Sequence, residues 1–161
     1  MENVTFNLSQ LHIYGTAFYD FLGLRKRFFV DQLGWDIPHD DDVEMDQYDN
    51  PTARYPLVLD DDGRVIAGAR GMSTTAQWGD HTYMLKDAMT GKLATIPDHL
   101  LDDVIDSPKV WETTRLVISP EIKSNRMRMH CLDMIAKGMI TMANENGADT
   151  LIALSNLWLL R

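Results

Sequence analysis

The chain has 161 residues, 45% hydrophobic and 24% charged, the composition of a globular domain rather than of a disordered chain. Its net charge of -9 argues against a broad nucleic-acid surface, because binding phosphates takes clustered Lys and Arg. The one cysteine, Cys131, excludes an internal disulfide and any metal site built from cysteine pairs. The opening residues lack the basic flank and apolar run of a signal peptide, and no stretch reaches the roughly 18 apolar residues of a membrane span. A soluble, cytoplasmic protein with one domain over residues 1–161 is expected.

Between Leu11 and Leu33 the apolar residues Phe18, Phe21, Leu22, Phe29 and Leu33 recur at helical spacing, and Gly34 ends the helix. Residues 34–53 are acidic and rich in turn formers, a long loop of the kind that is functional or mobile. Tyr55 to Leu59 and Arg64 to Ser73 read as strands joined at the Asp61-Asp62-Gly63 turn. Residues 79–109 are mixed, with short helical pieces broken at Gly91, Pro97 and Pro108. Val110 to Ile118 is a strand. Met127, Cys131, Ile135, Met139 and Met142 stripe a helix from about Asn125 to Asn146, which Gly147 stops. Thr150 to Ser155 is a further strand, and Leu157 to Arg161 starts a helix. A helix between two strands makes those strands parallel, and the whole is an α/β (α+β) domain with a mixed central sheet flanked by helices.

Glu44, Asp46 and Asp49 in the long loop follow Trp35 closely. They read either as a solvated acidic loop or as part of a site for a sulfonium or ammonium ligand, which wants carboxylates and aromatic faces together. Arg25 and Phe29 are four apart on one helix, and Arg25 is suited to hold a ligand carboxylate. In the strand Trp111-Glu112-Thr113-Thr114-Arg115, regular alternation puts Glu112 and Arg115 on opposite faces, so sharing a site demands a bulge or twist. Glu112 reads equally as a general base, its pKa raised by burial, or as a structural ion pair with Arg70 or Arg115. The five histidines are scattered without ligand spacing, so no metal is expected. Cys131 falls on an apolar stripe and reads as core. No Walker loop and no Gly-x-Gly-x-x-Gly occurs.

Four of these elements together resemble the LuxI-type autoinducer synthases: Arg25-x-x-x-Phe29 with Trp35; Glu44-x-Asp46-x-x-Asp49; Gly68-Ala69-Arg70; and Trp111-Glu112-x-x-Arg115. Order and spacing agree over about ninety residues. The resemblance implies the fold of the GNAT acyltransferases. It implies synthesis of an N-acyl-homoserine-lactone quorum-sensing signal from S-adenosylmethionine and an acyl-acyl-carrier protein, with methylthioadenosine released. S-adenosylmethionine is then a substrate, and no cofactor is implied. By the same resemblance, Arg25, Phe29 and Trp35 are expected to help form its site, Asp46, Asp49 and Arg70 to form an electrostatic cluster that orders it, Glu112 to be the base and Arg115 to pair within the cluster.

The stretch Glu121 to Met129 carries no glycine, unlike the turn with which GNAT acetyltransferases cradle the CoA pyrophosphate. Lys123, Arg126 and Arg128 there suit a single pantetheine phosphate and an acidic carrier protein, or are a solvated basic turn. Ser155 stands near the family's acyl-selecting Ser/Thr position. Family members continue through further strands beyond the point reached at Arg161, and Gly71 to Thr74 lacks their leucine-rich continuation, so the C-terminal part of the fold reads as truncated, degenerate or naturally short. Two alternatives stand beside the synthase: a GNAT-type N-acetyltransferase using acetyl-CoA, and a non-catalytic homologue that binds S-adenosylmethionine.

Overall fold

The computed structural model describes residues 1–154. A five-stranded mixed sheet runs in the order β1 (Glu2–Phe6), β2 (Tyr55–Leu59), β3 (Val65–Ser73), β4 (Val110–Ile118), β5 (Thr150–Ala153). The first four strands pair antiparallel; β4 and β5 are parallel, joined by the crossover helix α3 (Asn125–Glu145) as expected. The helix α1 (Ala17–Arg25) and the short helix α2 (Met84–Met89) complete the frame.

Strand alternation sorts the two faces. On one face Phe21 of α1 lies so close over Gly68 that any Cβ there would sit 2.9 Å from its ring. On the other, Ala67 and Ala69 pack with Cys131 and Ile135 of α3, and Met142 covers Gly71. Small residues on β3 thus let helices approach both sides of the sheet. Cys131 is fully buried, in agreement with its place on the α3 stripe. Met127 departs from that stripe: it lies in the exposed first turn, ahead of the point where α3 meets the sheet.

Three elements differ from the sequence expectations. β1 was not anticipated, although Val4 and Phe6 alternate inward against β2. The helix predicted from Leu11 to Leu33 is divided. A 3-10 turn over Leu8–Ile13, capped by Asn7, ends before Gly15 at φ +56°, and α1 starts after it. After Arg25 the helix widens into π-helical turns over Lys26–Gln32. The third difference is the strand predicted over Thr150 to Ser155, whose described part ends at Ala153. The expected helix from Leu157 and the position of Ser155 lie outside the described residues.

Opposite Arg70, β4 carries a bulge. Arg70 pairs with Thr114 while Gly68 pairs with Val117, so β4 has one residue more than β3 over this step. Arg115 occupies it in the left-handed region, φ +54°, the one non-glycine residue with positive φ among the described residues. The bulge supplies the break in alternation that Glu112 and Arg115 needed to face one side.

Candidate functional site

On the α1 face of the sheet, three arginines and three carboxylates alternate in a buried cluster. Arg25 donates from Nε to Glu44 at 2.6 Å and from both terminal nitrogens to Asp49 at 2.8 and 2.9 Å. Arg70 donates to Asp46 at 2.5 and 3.2 Å and lies 3.1 Å from Asp49. Arg115, placed by the bulge, donates to Glu44 at 3.2 Å and to Asp46 at 2.8 Å. Formal charges cancel, and each carboxylate bridges two guanidinium groups, which is what makes burial of so many ions tolerable.

The Glu44–Asp49 part of the acidic loop therefore folds inward, while Asp36 and Asp40 to Asp42 stay exposed. Its backbone helps: Asp49 accepts from the Asp46 N–H, and Asp46 from the Tyr48 N–H. Burial alone would raise both carboxyls, but Arg70 with Arg115 for Asp46, and Arg70 with Arg25 for Asp49, outweigh it and hold both below the usual carboxylate range. A carboxyl depressed in the fold stabilises it fully above its unfolded pKa of about 3.9 and loses that contribution as pH falls through the lower folded value. The urea midpoint is accordingly expected to hold level from about pH 7 to about pH 5 and to fall below about pH 4. Asp49→Asn should flatten that acid decline; a decline of unchanged steepness would place the titrating groups elsewhere.

One correction concerns the ligand-binding role expected of Arg25, and one the ion pair weighed as the alternative role of Glu112. Arg25 is fully buried and all three of its nitrogens are engaged by protein carboxylates, so in this structure it builds the site from behind instead of gripping a ligand carboxylate. Glu112 forms no ion pair with Arg70 or Arg115. Its two oxygens accept the backbone N–H groups of Met84 and Leu85, each at 2.8 Å, at the start of α2. Burial pushes its carboxyl above the ordinary value, against the pull of those N–H groups and of Arg70.

An aromatic wall borders the cluster. Phe29 is buried in the π-helical segment, stacks on half-exposed Trp35 at 4.8 Å and lies under the Arg115 guanidinium at 5.7 Å. The wide turn is closed in part by the Trp35 N–H donating to the Phe29 carbonyl, which brings Trp35 back over Phe29. Arg25 meets the acidic loop directly, whereas Phe29 adjoins it through Arg115 and Trp35 through Phe29, and of the three Trp35 is the exposed one.

Sequence reasoning missed Tyr48, Tyr55 and Asp87. The Tyr55 hydroxyl donates to Asp49, and the Tyr48 hydroxyl donates to Asp87 while its ring lies 5.5 Å from the Arg70 guanidinium. Burial, and then the adjoining carboxylate, pushes both phenols up, so both remain proton donors. The position of Tyr48 between Asp46 and Asp49 was a usable signal; Asp87 gave none.

Lys123 and Arg128 lie apart from this cluster, at the β4–α3 junction, where with Phe28, Gln32, Pro120 and Ile122 they line an open depression of about 370 Å³. Arg126 is exposed and does not line it. The Ser124 side chain caps α3 by accepting from the Met127 N–H. Among the described residues no helix is long and apolar enough to cross a membrane.

Comparison with known proteins gives this geometry a context. The acyl-homoserine-lactone synthase of Ralstonia solanacearum is 32% identical over 132 residues, which is 80% of this chain and 59% of that protein. The crystal structure of TofI in a ternary complex with an inhibitor and MTA superposes with TM-score 0.72 at 27% identity, covering 100% of this chain and 76% of that one. BjaI, a CoA-dependent acyl-homoserine lactone synthase with SAM and isopentyl-CoA, shares the fold with TM-score 0.71 at 18% identity, covering 97% and 67% of the two chains. These are synthases of the GNAT-like fold, and the TofI superposition, which covers the whole chain, includes the β4 bulge, the crossover helix and the charge cluster. The family model for autoinducer synthases matches residues 9–161, nearly the whole sequence, and this chain therefore belongs to the autoinducer synthase family.

Proposed function

We propose that this chain is an acyltransferase that makes N-acyl-homoserine lactone from S-adenosylmethionine and an acyl thioester on acyl-carrier protein, releasing methylthioadenosine, with no resident cofactor. The observation that carries the reading is the β4 bulge, which turns Arg115 onto the face of Glu112 and seats its guanidinium between the carboxylate cluster and Phe29. A cationic sulfonium ligand fits against the exposed ring of Trp35, with Phe29 stacked beneath it and the neutralised cluster holding the wall rigid.

The chemistry asks for few groups. Glu112, a buried carboxylate with a raised pKa, takes the proton as the S-adenosylmethionine amine attacks the thioester carbonyl. The oxygen that becomes anionic needs backbone N–H donors, and a strand irregularity such as the bulge is where such donors leave the ladder. The thiol of the carrier arm leaves with a proton. The methionyl carboxylate then displaces methylthioadenosine from its own γ-carbon, a ring closure that depends on a folded, in-line substrate more than on a second base.

The carrier-protein donor rests on the β4–α3 junction. No glycine occurs between Pro120 and Arg128, and Ser124 already caps the helix, so a pyrophosphate cradle of backbone N–H groups is not laid out there. Lys123 and Arg128 beside the depression suit a single phosphate and an acidic partner.

The test is to incubate the purified chain with S-adenosylmethionine and parallel sets of acyl-carrier-protein and acyl-CoA thioesters, and to detect lactones by mass spectrometry. Product from the carrier-protein set is expected. Product from CoA alone would replace the donor and keep the reaction. No product from a folded chain that still binds S-adenosylmethionine would overturn the synthase reading in favour of a binding protein.

A further inference from the structure

Asp87 is almost fully buried, lies outside the arginine cluster, and has no part in the chemistry above. It nonetheless gathers bonds from three residues. It accepts from the Thr82 hydroxyl at 2.7 Å and the Thr82 N–H at 3.2 Å, from the Tyr48 hydroxyl at 2.9 Å, and meets the His81 ring Nδ1 at 3.0 Å. Thr82 immediately precedes the turn whose next N–H groups, those of Met84 and Leu85, hold Glu112. Tyr48 sits in the acidic loop, under Arg70 and next to Asp46. Asp87 therefore ties the start of α2 to the loop that carries the cluster.

We propose that Asp87 is a positioning residue: by fixing the start of α2 against the acidic loop, it aims the Met84 and Leu85 N–H groups that orient Glu112 relative to the arginine cluster. This rests on the proposed role of Glu112. The mechanical link is short. A loosened Thr82 frees the first turn of a helix of six residues, too short to keep its own geometry. Glu112 then loses aligned donors while its burial stays.

The sign of one measurement separates this from a charge effect and from a purely structural role. Among the described residues the charged and titratable groups that act on Glu112 are Arg70 on β3, Asp87 itself on α2, which in turn faces His81 and Lys92, and Tyr83, whose hydroxyl is held at Ile105. Removing the Asp87 charge alone relieves repulsion and lowers the Glu112 pKa. Withdrawing the two N–H donors raises it, because those donors favour the carboxylate.

The experiment compares Asp87→Ala with Asp87→Asn, which keeps an acceptor for Thr82. The readouts are the pH profile of kcat, the KM for S-adenosylmethionine, and the Glu112 carboxyl titration followed by NMR. For Asp87→Ala we expect kcat to fall roughly 10- to 100-fold, KM to move far less, and the Glu112 titration and acid limb to shift to higher pH. Asp87→Asn should recover most of the rate. A shift to lower pH in Asp87→Ala would make Asp87 a charge effect. A lower melting temperature with the Glu112 titration unmoved would make it a structural residue, and either result overturns the proposal. If Asp87→Ala does not fold, Asp87→Asn decides: a loss of kcat as large as tenfold with intact fold would show that its charge, not its anchoring, matters. Absence of lactone from the wild-type chain would instead sink the synthase reading, and the NMR titration of Glu112 would still judge Asp87.

Discussion

Glu112→Gln is expected to slow acylation by roughly 100- to 10,000-fold, the range for loss of a positioned base, while S-adenosylmethionine binding stays largely intact. Single-turnover acylation and calorimetric binding of S-adenosylmethionine read the two effects separately. The hydrogen bonds add a condition. Glu112 receives two backbone N–H donors, and a Gln side chain turns its own NH2 towards one of them. That mismatch costs about 1–3 kcal/mol, so the variant should also unfold at lower urea. A rate loss far beyond that stability loss identifies the base. Equal loss of rate and of S-adenosylmethionine binding would show that Glu112 serves the fold alone.

Arg70→Met should be the most damaging substitution for stability. Arg70 reaches both Asp46 and Asp49 and is itself almost fully buried. Removing it leaves those carboxylates with one arginine each, Arg115 and Arg25, in a place that water does not reach. Breaking a buried pair in this way costs about 3–5 kcal/mol, much of what holds a domain of this size together. Equilibrium urea denaturation measures it. The compensating variant, Arg70→Met together with Asp46→Asn alone, restores formal neutrality with Arg25 and Arg115 against Glu44 and Asp49, and should regain part of the loss. A cost below about 1 kcal/mol would place Arg70 among solvent-screened pairs and contradict its burial.

Much of the frame was legible because its signals are local. The β2–β3 turn, the β4 strand, the α3 stripe and the parallel β4–β5 pair follow from turn formers and from apolar periods. The need for an irregularity between Glu112 and Arg115 was also readable, since strand geometry forbids a shared face without one, and the bulge at Arg115 supplies it. What escaped has physical reasons. The π-helical widening after Arg25 changes the hydrogen-bond ladder without changing the apolar pattern. β1 is five residues long and takes its stability from β2, about fifty residues away. The link from Glu112 to α2 joins residues 27 and 28 apart through backbone N–H groups, which no side-chain pattern records. Arg25 was assigned a ligand because its partners were read as free acids in a loop, whereas they fold onto it.

The charge cluster also bears on the order in which the chain assembles. Arg25 meets Glu44 and Asp49 across 19 and 24 residues, whereas Arg115 meets Glu44 and Asp46 across 71 and 69. Loop-closure entropy makes the longer contacts dearer by only about 1 kcal/mol, but they wait for β4 to dock. Until then the collapsing chain holds Glu44, Asp46 and Asp49 against two arginines and must keep the surplus charge wet. A partly folded state without β4 is thereby disfavoured, and β3, β4 and the acidic loop should open and close as one unit in native-state hydrogen exchange.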